Sequence, residues 1–170
     1  MKFGNSFLEI ISKEVTAFSK YQCCVRVENL RNNQPSEETC QNILTSEQAP
    51  GASPVIICGN DTVECPSVVK GTKRDITILF KPPSPEQQNG KITHHEVFFR
   101  NVTTSNSTVG IVNRLVVNGS KTEAVITNAD THLGYHVYMT SCTAIGCSSM
   151  SNTVHIPQLP KIDTGKLLLN

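Results

Sequence analysis

The residues whose chemistry depends most on spacing are seven cysteines: Cys23, Cys24, Cys40, Cys58, Cys65, Cys142 and Cys147. In TSCTAIGCSS, Cys142 and Cys147 stand five positions apart, with Gly146 just before the second. Closely spaced cysteines serve as a metal clasp, a redox pair or a stapled hairpin. The redox pair uses C-x-x-C, which this spacing excludes. A metal clasp needs two more ligands at matching spacing, and no second short-spaced Cys/His pair adjoins it in the sequence. A reduced, inert pair in a cytosolic protein also fits the spacing. An odd count bars full pairing within the chain.

The other candidates for chemistry are weaker. His132 and His136 have the i,i+4 spacing that grips zinc on a helix. They fall across a turn and the start of a strand, where i and i+4 lie ~13 Å apart, so they read as surface histidines. His94 and His95 are strand neighbours that face opposite ways and read the same. Asp163-Thr164-Gly165 matches the aspartic protease triplet, but in linker-like sequence. There is no G-x-S-x-G, and Gly165-Lys166 lacks the rest of a phosphate loop. The reading is that the chain is not an enzyme, with no cofactor and no metal.

Such residues need elements to position them. The formal charge of +1 gives no support for nucleic acid or anionic membrane as partner. No run of eighteen apolar residues spans a membrane. Tyr21, Cys23, Val25 and Val27 alternate with polar positions, as do Tyr135, Val137, Met139 and Ser141. Period two over eight residues predicts half-buried strands. Shorter strands are predicted at 55–57, 75–80, 92–100, 111–117, 121–127 and 152–156, separated by turn signals such as Asn89-Gly90 and Asn118-Gly119. Residues 6–18 fit a helix about as well as a strand and turn. Seven short strands at this spacing predict an all-β sandwich. Val15 precedes Tyr21 by six positions and Ala129 precedes Tyr135 by six, so the pattern occurs twice.

The segments ILFKPPSPEQQNGKITHHEVFF, TEAVIT and GYHVYMTSCTAIGCSSMSNTVHIP resemble the fibronectin type III family. The resemblance covers 51–157 as a complete seven-stranded, immunoglobulin-like sandwich. Residues 1–49 resemble the last strands (E to G) of a preceding module, and 158–170 a linker or the start of the next. The family's second-strand Trp is replaced by Phe80. Tyr135 matches the family's corner tyrosine, whose hydroxyl is expected to bond backbone near 129–131, and Tyr21 holds the same place in the partial module.

On that fold Cys142 ends the sixth strand and Cys147 begins the seventh, implying a Cys142–Cys147 disulfide on the sheet surface. Gly146 is expected to take a positive φ in the hairpin. Cys58 and Cys65 bracket GNDTVE, read as an insertion after the first strand closed by its own disulfide. Cys24–Cys40 would repeat the arrangement and leave Cys23 as a buried thiol; Cys23–Cys40 is the alternative. N-glycosylation sequons stand at Asn60, Asn101, Asn106 and Asn118, in predicted loops or strand ends.

The resemblance implies an extracellular, non-enzymatic segment in adhesion or receptor recognition, with other proteins as partners and no membrane insertion. Its C-T-x-x-G-C-S exit resembles large multi-repeat adhesion proteins such as usherin. The alternative is an accessory module of an intracellular or enzyme-bearing protein, such as a receptor phosphatase or kinase. Glu9 and Lys13 interrupt any leader-like run. With the partial module, this leads to the expectation that the chain is a piece of a larger protein.

Overall fold

The computed structural model describes residues 15–26, 28–29, 34–59, 63–102 and 111–160. The chain divides into two units, Met1–Ser46 and Glu47–Asn170. Predicted features at 1–14, Asn60, Asn106 and Asp163 lie outside the described residues.

In the first unit, β1 (Lys20–Val25) pairs antiparallel with β4 (Thr39–Leu44), and the two-residue strands β2 (Glu28–Asn29) and β3 (Gln34–Pro35) pair with each other. No residue of β1 or β4 is buried. A lone two-stranded ribbon is marginal in water because it has no second layer to cover a face. The Cys24–Cys40 bond joins residues directly opposite each other, with Cα atoms 4.0 Å apart. Closing a loop of this length contributes about 3 kcal/mol by chain entropy. The Thr16 amide donates to the Tyr21 hydroxyl at 2.8 Å, and Thr45 Oγ1 donates to Thr16 O at 2.7 Å.

The alternation of the second unit builds two antiparallel sheets. In one, β7 (Lys73–Lys81) lies between β10 (Glu123–Asp130) and an edge formed by β5 (Val55–Ile56) and β6 (Ser67–Lys70). The other has the order β12 (Val154–Ile156), β11 (Gly134–Cys142), β8 (His94–Val102), β9 (Asn113–Asn118). A four-residue helix, α1 (Pro85–Gln88), ends at Asn89 with φ 53°. The fold is the all-β, fibronectin type III-like sandwich expected from the sequence.

Inward side chains of both sheets close one core. Ile76, Ile78 and Phe80 come from β7, Ala124 and Ile126 from β10, Val97 from β8, Tyr135, Val137 and Met139 from β11, and Val154 and Ile156 from β12. Each large apolar side chain so buried contributes about 1.5–3 kcal/mol. A bulge between Ile126 and Ala129, with Asn128 at φ 57°, returns Ala129 to the inward side. The Tyr135 hydroxyl accepts from the Asp130 amide at 2.7 Å, five residues back as at Tyr21 and Thr16.

One insertion sits differently from the sequence reading. Residues 58–65 interrupt the first strand rather than follow it. Ile57 N donates to Leu79 O at 2.9 Å, and the ladder resumes where Thr77 N donates to Pro66 O at 2.7 Å. Only Ile78 of β7 lies between these two bonds. The Cys58–Cys65 disulfide closes the excursion with a Cα–Cα distance of 4.8 Å, and both sulfur residues join the core. The resumed half, β6, was not predicted. Its Ser67-Val68-Val69-Lys70 lies wholly exposed on an edge and carries no inward–outward signature.

Arg74 also extends the inward row of β7. Its guanidinium is buried, and Nη2 donates to Leu133 O at 3.3 Å and Pro157 O at 2.6 Å. Burial lowers its pKa from the ordinary arginine value. It ties β7 to the turn before β11 and to the exit after β12.

Candidate recognition surface

The outer face of the β12–β11–β8–β9 sheet gathers the residues with chemical potential. Along β8, His94, Glu96, Phe98 and Arg100 alternate outward because His95 and Val97 are taken by the core. Register places Cys142 opposite His94, Thr140 opposite Glu96, Tyr138 opposite Phe98 and His136 opposite Arg100. On the far side of β8, β9 sets Asn118 against His94, Val116 against Glu96 and Arg114 against Phe98.

Phe98 and Tyr138 stack with centroids 5.3 Å apart and planes 14° apart. Arg114 Nη2 donates to Glu96 Oε1 in a short ion pair, and His94 Nε2 lies 3.5 Å from the same oxygen. At the other end, His136 meets His155 edge-on, with ring centroids 5.4 Å apart. Burial, then the neighbouring His155 and Arg100, push the His136 pKa below its ordinary value. Among the described residues, Arg100 Nε and His136 Nδ1 are enclosed atoms for which no hydrogen-bond partner is present.

Cys142 and Cys147 are disulfide-bonded, with Cα atoms 3.9 Å apart. The hairpin is closed by Thr143 N donating to Gly146 O at 2.9 Å and Ser148 N to Ser141 O at 2.8 Å. Two expectations are corrected here. Cys142 keeps the outward register but is fully buried, because Cys147, His94 and Glu96 stand over it, their donor atoms all within 4.8 Å of one another. Gly146 is not among the described residues with positive φ. A Cβ there would meet Ala49 Cβ at 3.5 Å, an ordinary contact, so the bend does not require glycine.

A third correction concerns Cys23. It is the free cysteine among the described residues and is exposed. Alternation put it on an inward row, but no residue of β1 is buried, so that row enters no core among the described residues. The native full chain is therefore expected to titrate one thiol with an aromatic disulfide reagent before any denaturant is added. A thiol appearing only on unfolding would contradict that exposure.

His95 is the fourth correction. It is no surface histidine: it is fully buried, its ring edge-on to Phe80 at 4.9 Å. Nε2 lies 3.2 Å from Gly119 O, a pure acceptor, so Nε2 carries the proton and Nδ1 accepts from the Ser141 hydroxyl at 2.8 Å. Burial lowers its pKa; the Gly119 carbonyl opposes this and His94 adds to it. The unfolded chain takes up a proton near pH ~6.5 that the folded chain resists. Stability is then fully present above that pH and is lost as pH falls through it. Asp75 and Asp130, lowered by hydrogen bonds from Lys70 and from the His132 amide respectively, lose their contributions only in the acid range below. Urea unfolding from pH 7.5 to 5 is expected to show the loss, and His95→Gln to flatten it while costing about 1–2 kcal/mol at neutral pH. An unchanged slope would assign the loss to His136.

The described sequons differ in setting. Asn118 is exposed at the end of β9, its Oδ1 accepting from Ser120 N at 3.0 Å and Ser120 Oγ at 2.9 Å. Asn101 is half-buried near the end of β8, opposite Tyr135.

No family model and no curated protein matches the chain. Among solved structures it is similar to the chicken CNTN1 FN1-FN3 domains, at TM-score 0.46 and 13% identity. The match covers 85% of this chain and 44% of that one, so this chain spans less than half of its length. The fold assignment rests on strand order and register, not on this match, and no comparison favours an usherin-like parent.

Proposed function

We propose that the chain is a non-enzymatic extracellular segment that recognises another protein, in adhesion or receptor–ligand binding, through the outer face of β12–β11–β8–β9. The observation that carries this reading is the Phe98–Tyr138 stack, flanked by Arg114 across the sheet and by Arg100 along β8. Aromatic and Arg side chains are the commonest anchors of protein interfaces because each buries a large rigid area and keeps a polar handle. Three disulfides fit an oxidising compartment. Among the described residues no helix is long and apolar enough to cross a membrane.

The test uses the full chain, expressed through a secretory pathway and coupled at high density to fluorescent beads. Beads are expected to adhere to cultured cells in a protease-sensitive manner, and Phe98→Ala with Tyr138→Ala to reduce adhesion at least about tenfold. Val125→Ser, on the outside of the other sheet, should leave adhesion unchanged. Equal loss in both variants, or no adhesion, overturns the proposal.

A further inference from the structure

The metal reading of Cys142 and Cys147 lacked a second ligand pair in the sequence, and strand pairing supplies one. β8 delivers His94 opposite Cys142, and Glu96 follows two residues on along the same outward row. One donor atom from each of His94, Glu96, Cys142 and Cys147 lies within 4.8 Å of the others. We propose that reduction of the Cys142–Cys147 disulfide turns this end of the sheet into a tetrahedral Zn²⁺ site, with two thiolates, His94 Nε2 and a Glu96 carboxylate oxygen as ligands.

Three features support this beyond proximity. The first is the His94 tautomer. Thr93 Oγ1 donates its single proton to Cys142 O at 3.1 Å, so its 2.9 Å contact with His94 Nδ1 requires that Nδ1–H be the donor. That leaves the Nε2 lone pair on the side of Glu96 and the sulfurs, with the other nitrogen anchored as zinc-bound imidazoles generally are. Second, the charges balance. Two thiolates and a carboxylate carry −3, Zn²⁺ leaves −1, and Arg114 on Glu96 supplies the offsetting charge. Without a cation, two thiolates beside Glu96 would repel one another. Third, the movement is small. Zn–S bonds of about 2.3 Å at a tetrahedral angle put the sulfurs about 3.8 Å apart, within reach of rotation about the two Cα–Cβ bonds. Cys147 is exposed and the His94 side chain is 33% exposed, so an ion has a path from solvent.

The step balances with an external dithiol as reductant. The dithiol gives up two electrons and two protons and closes its own disulfide, while the Cys142–Cys147 bond breaks to two thiols. Zn²⁺ then displaces both thiol protons to solvent. The disulfide and the zinc thiolate are thus alternative closures of one hairpin, chosen by redox state. This inference does not rest on the proposed recognition function.

Co²⁺ is the probe, because tetrahedral thiolate coordination gives intense visible bands. The full chain carrying Cys24→Ser and Cys40→Ser, which removes the other cysteine cluster with a nearby carboxylate, is reduced with a phosphine and titrated anaerobically. One equivalent is expected to give those bands, and Zn²⁺ to abolish them. His94→Ala, a surface change that leaves the core intact, should weaken Co²⁺ binding at least about tenfold. Cys142→Ser with Cys147→Ser should abolish the bands, and the oxidised chain should show none. Absent bands, or the same affinity in the His94→Ala chain, would overturn the proposal, since thiols of a loosened chain bind without that imidazole.

Discussion

Replacing Phe80 with alanine is expected to lower the stability of the sandwich unit by about 3–5 kcal/mol, the usual cost of emptying a buried aromatic site. Phe80 is 1% exposed at the centre of the core. Its strand is held on both sides, by β5 at Ile56 and by the Phe80 amide donating to Thr122 O at 3.0 Å. The backbone therefore cannot easily collapse into the space left behind. The loss extends beyond apolar area, because the ring packs against the edge of His95. A domain of this class is stable by about 5–15 kcal/mol in total, so the variant sits near the edge of folding at 37 °C. Urea unfolding of the full chain measures the change. Val125→Ala on the solvent side of the same sheet, 41% exposed, is the control and should move stability by less than about 0.5 kcal/mol. A Phe80→Ala cost as small as the control's would mean that the two sheets do not close on this ring.

Gly119→Ala is the second large effect, at the upper end of the about 1–3 kcal/mol that overpacking costs. Gly119 does not need its glycine for a turn dihedral; it needs the missing side chain. A Cβ there would run into the Ile92 carbonyl oxygen, with Ile92 C at 2.7 Å and Thr93 C at 2.9 Å. Those atoms are backbone, so no side-chain rotation relieves the clash. The turn after β9 must lift from the start of β8, breaking the Gly119 amide bond to Thr93 O at 2.9 Å and the His95 bond to Gly119 O. The pH dependence assigned to His95 should change with it, which separates this mechanism from general loosening. Ser120→Ala, exposed in the same turn, loses the one bond from its hydroxyl to Asn118 Oδ1, keeps the one from its amide, and should cost well under half as much. Equal costs for the two substitutions would show that the close approach at Gly119 is not what limits stability.

Both predictions depend on residues that the sequence marked only in part. Phe80 stood out because it takes the place of the Trp that the resembled family carries on its second strand. Gly119 stood out as a turn residue, for a reason that proved incomplete. His95 and Arg74 belong to the same alternating rows as Val97 and Ile76, and extending each row by one step places them inside. Polarity hid them, because a histidine or arginine on a half-buried strand is more often at the surface. What reverses that expectation is a set of acceptors and donors from distant parts of the chain: Gly119 O and Ser141 Oγ for one, Leu133 O and Pro157 O for the other.

The sequence by itself determined what is local. Period-two alternation located the strands at Tyr21 and Tyr135 and turn signals bracketed the shorter ones, while the repeat around the two tyrosines appears as the same hydroxyl–amide bond, to the residue five before, in both units. The tertiary structure decided what covers what. Cys23 and Cys142 both lie on predicted strands, yet one is exposed and the other buried, because no residue of the first strand is buried among the described residues and the other cysteine lies under a hairpin and two side chains. The meeting of His94 and Glu96 with the sulfurs is likewise a product of pairing between β8 and β11, more than forty positions apart. Side-chain direction is set by neighbouring peptide units, whereas burial and company depend on strands brought together only when the sheets close.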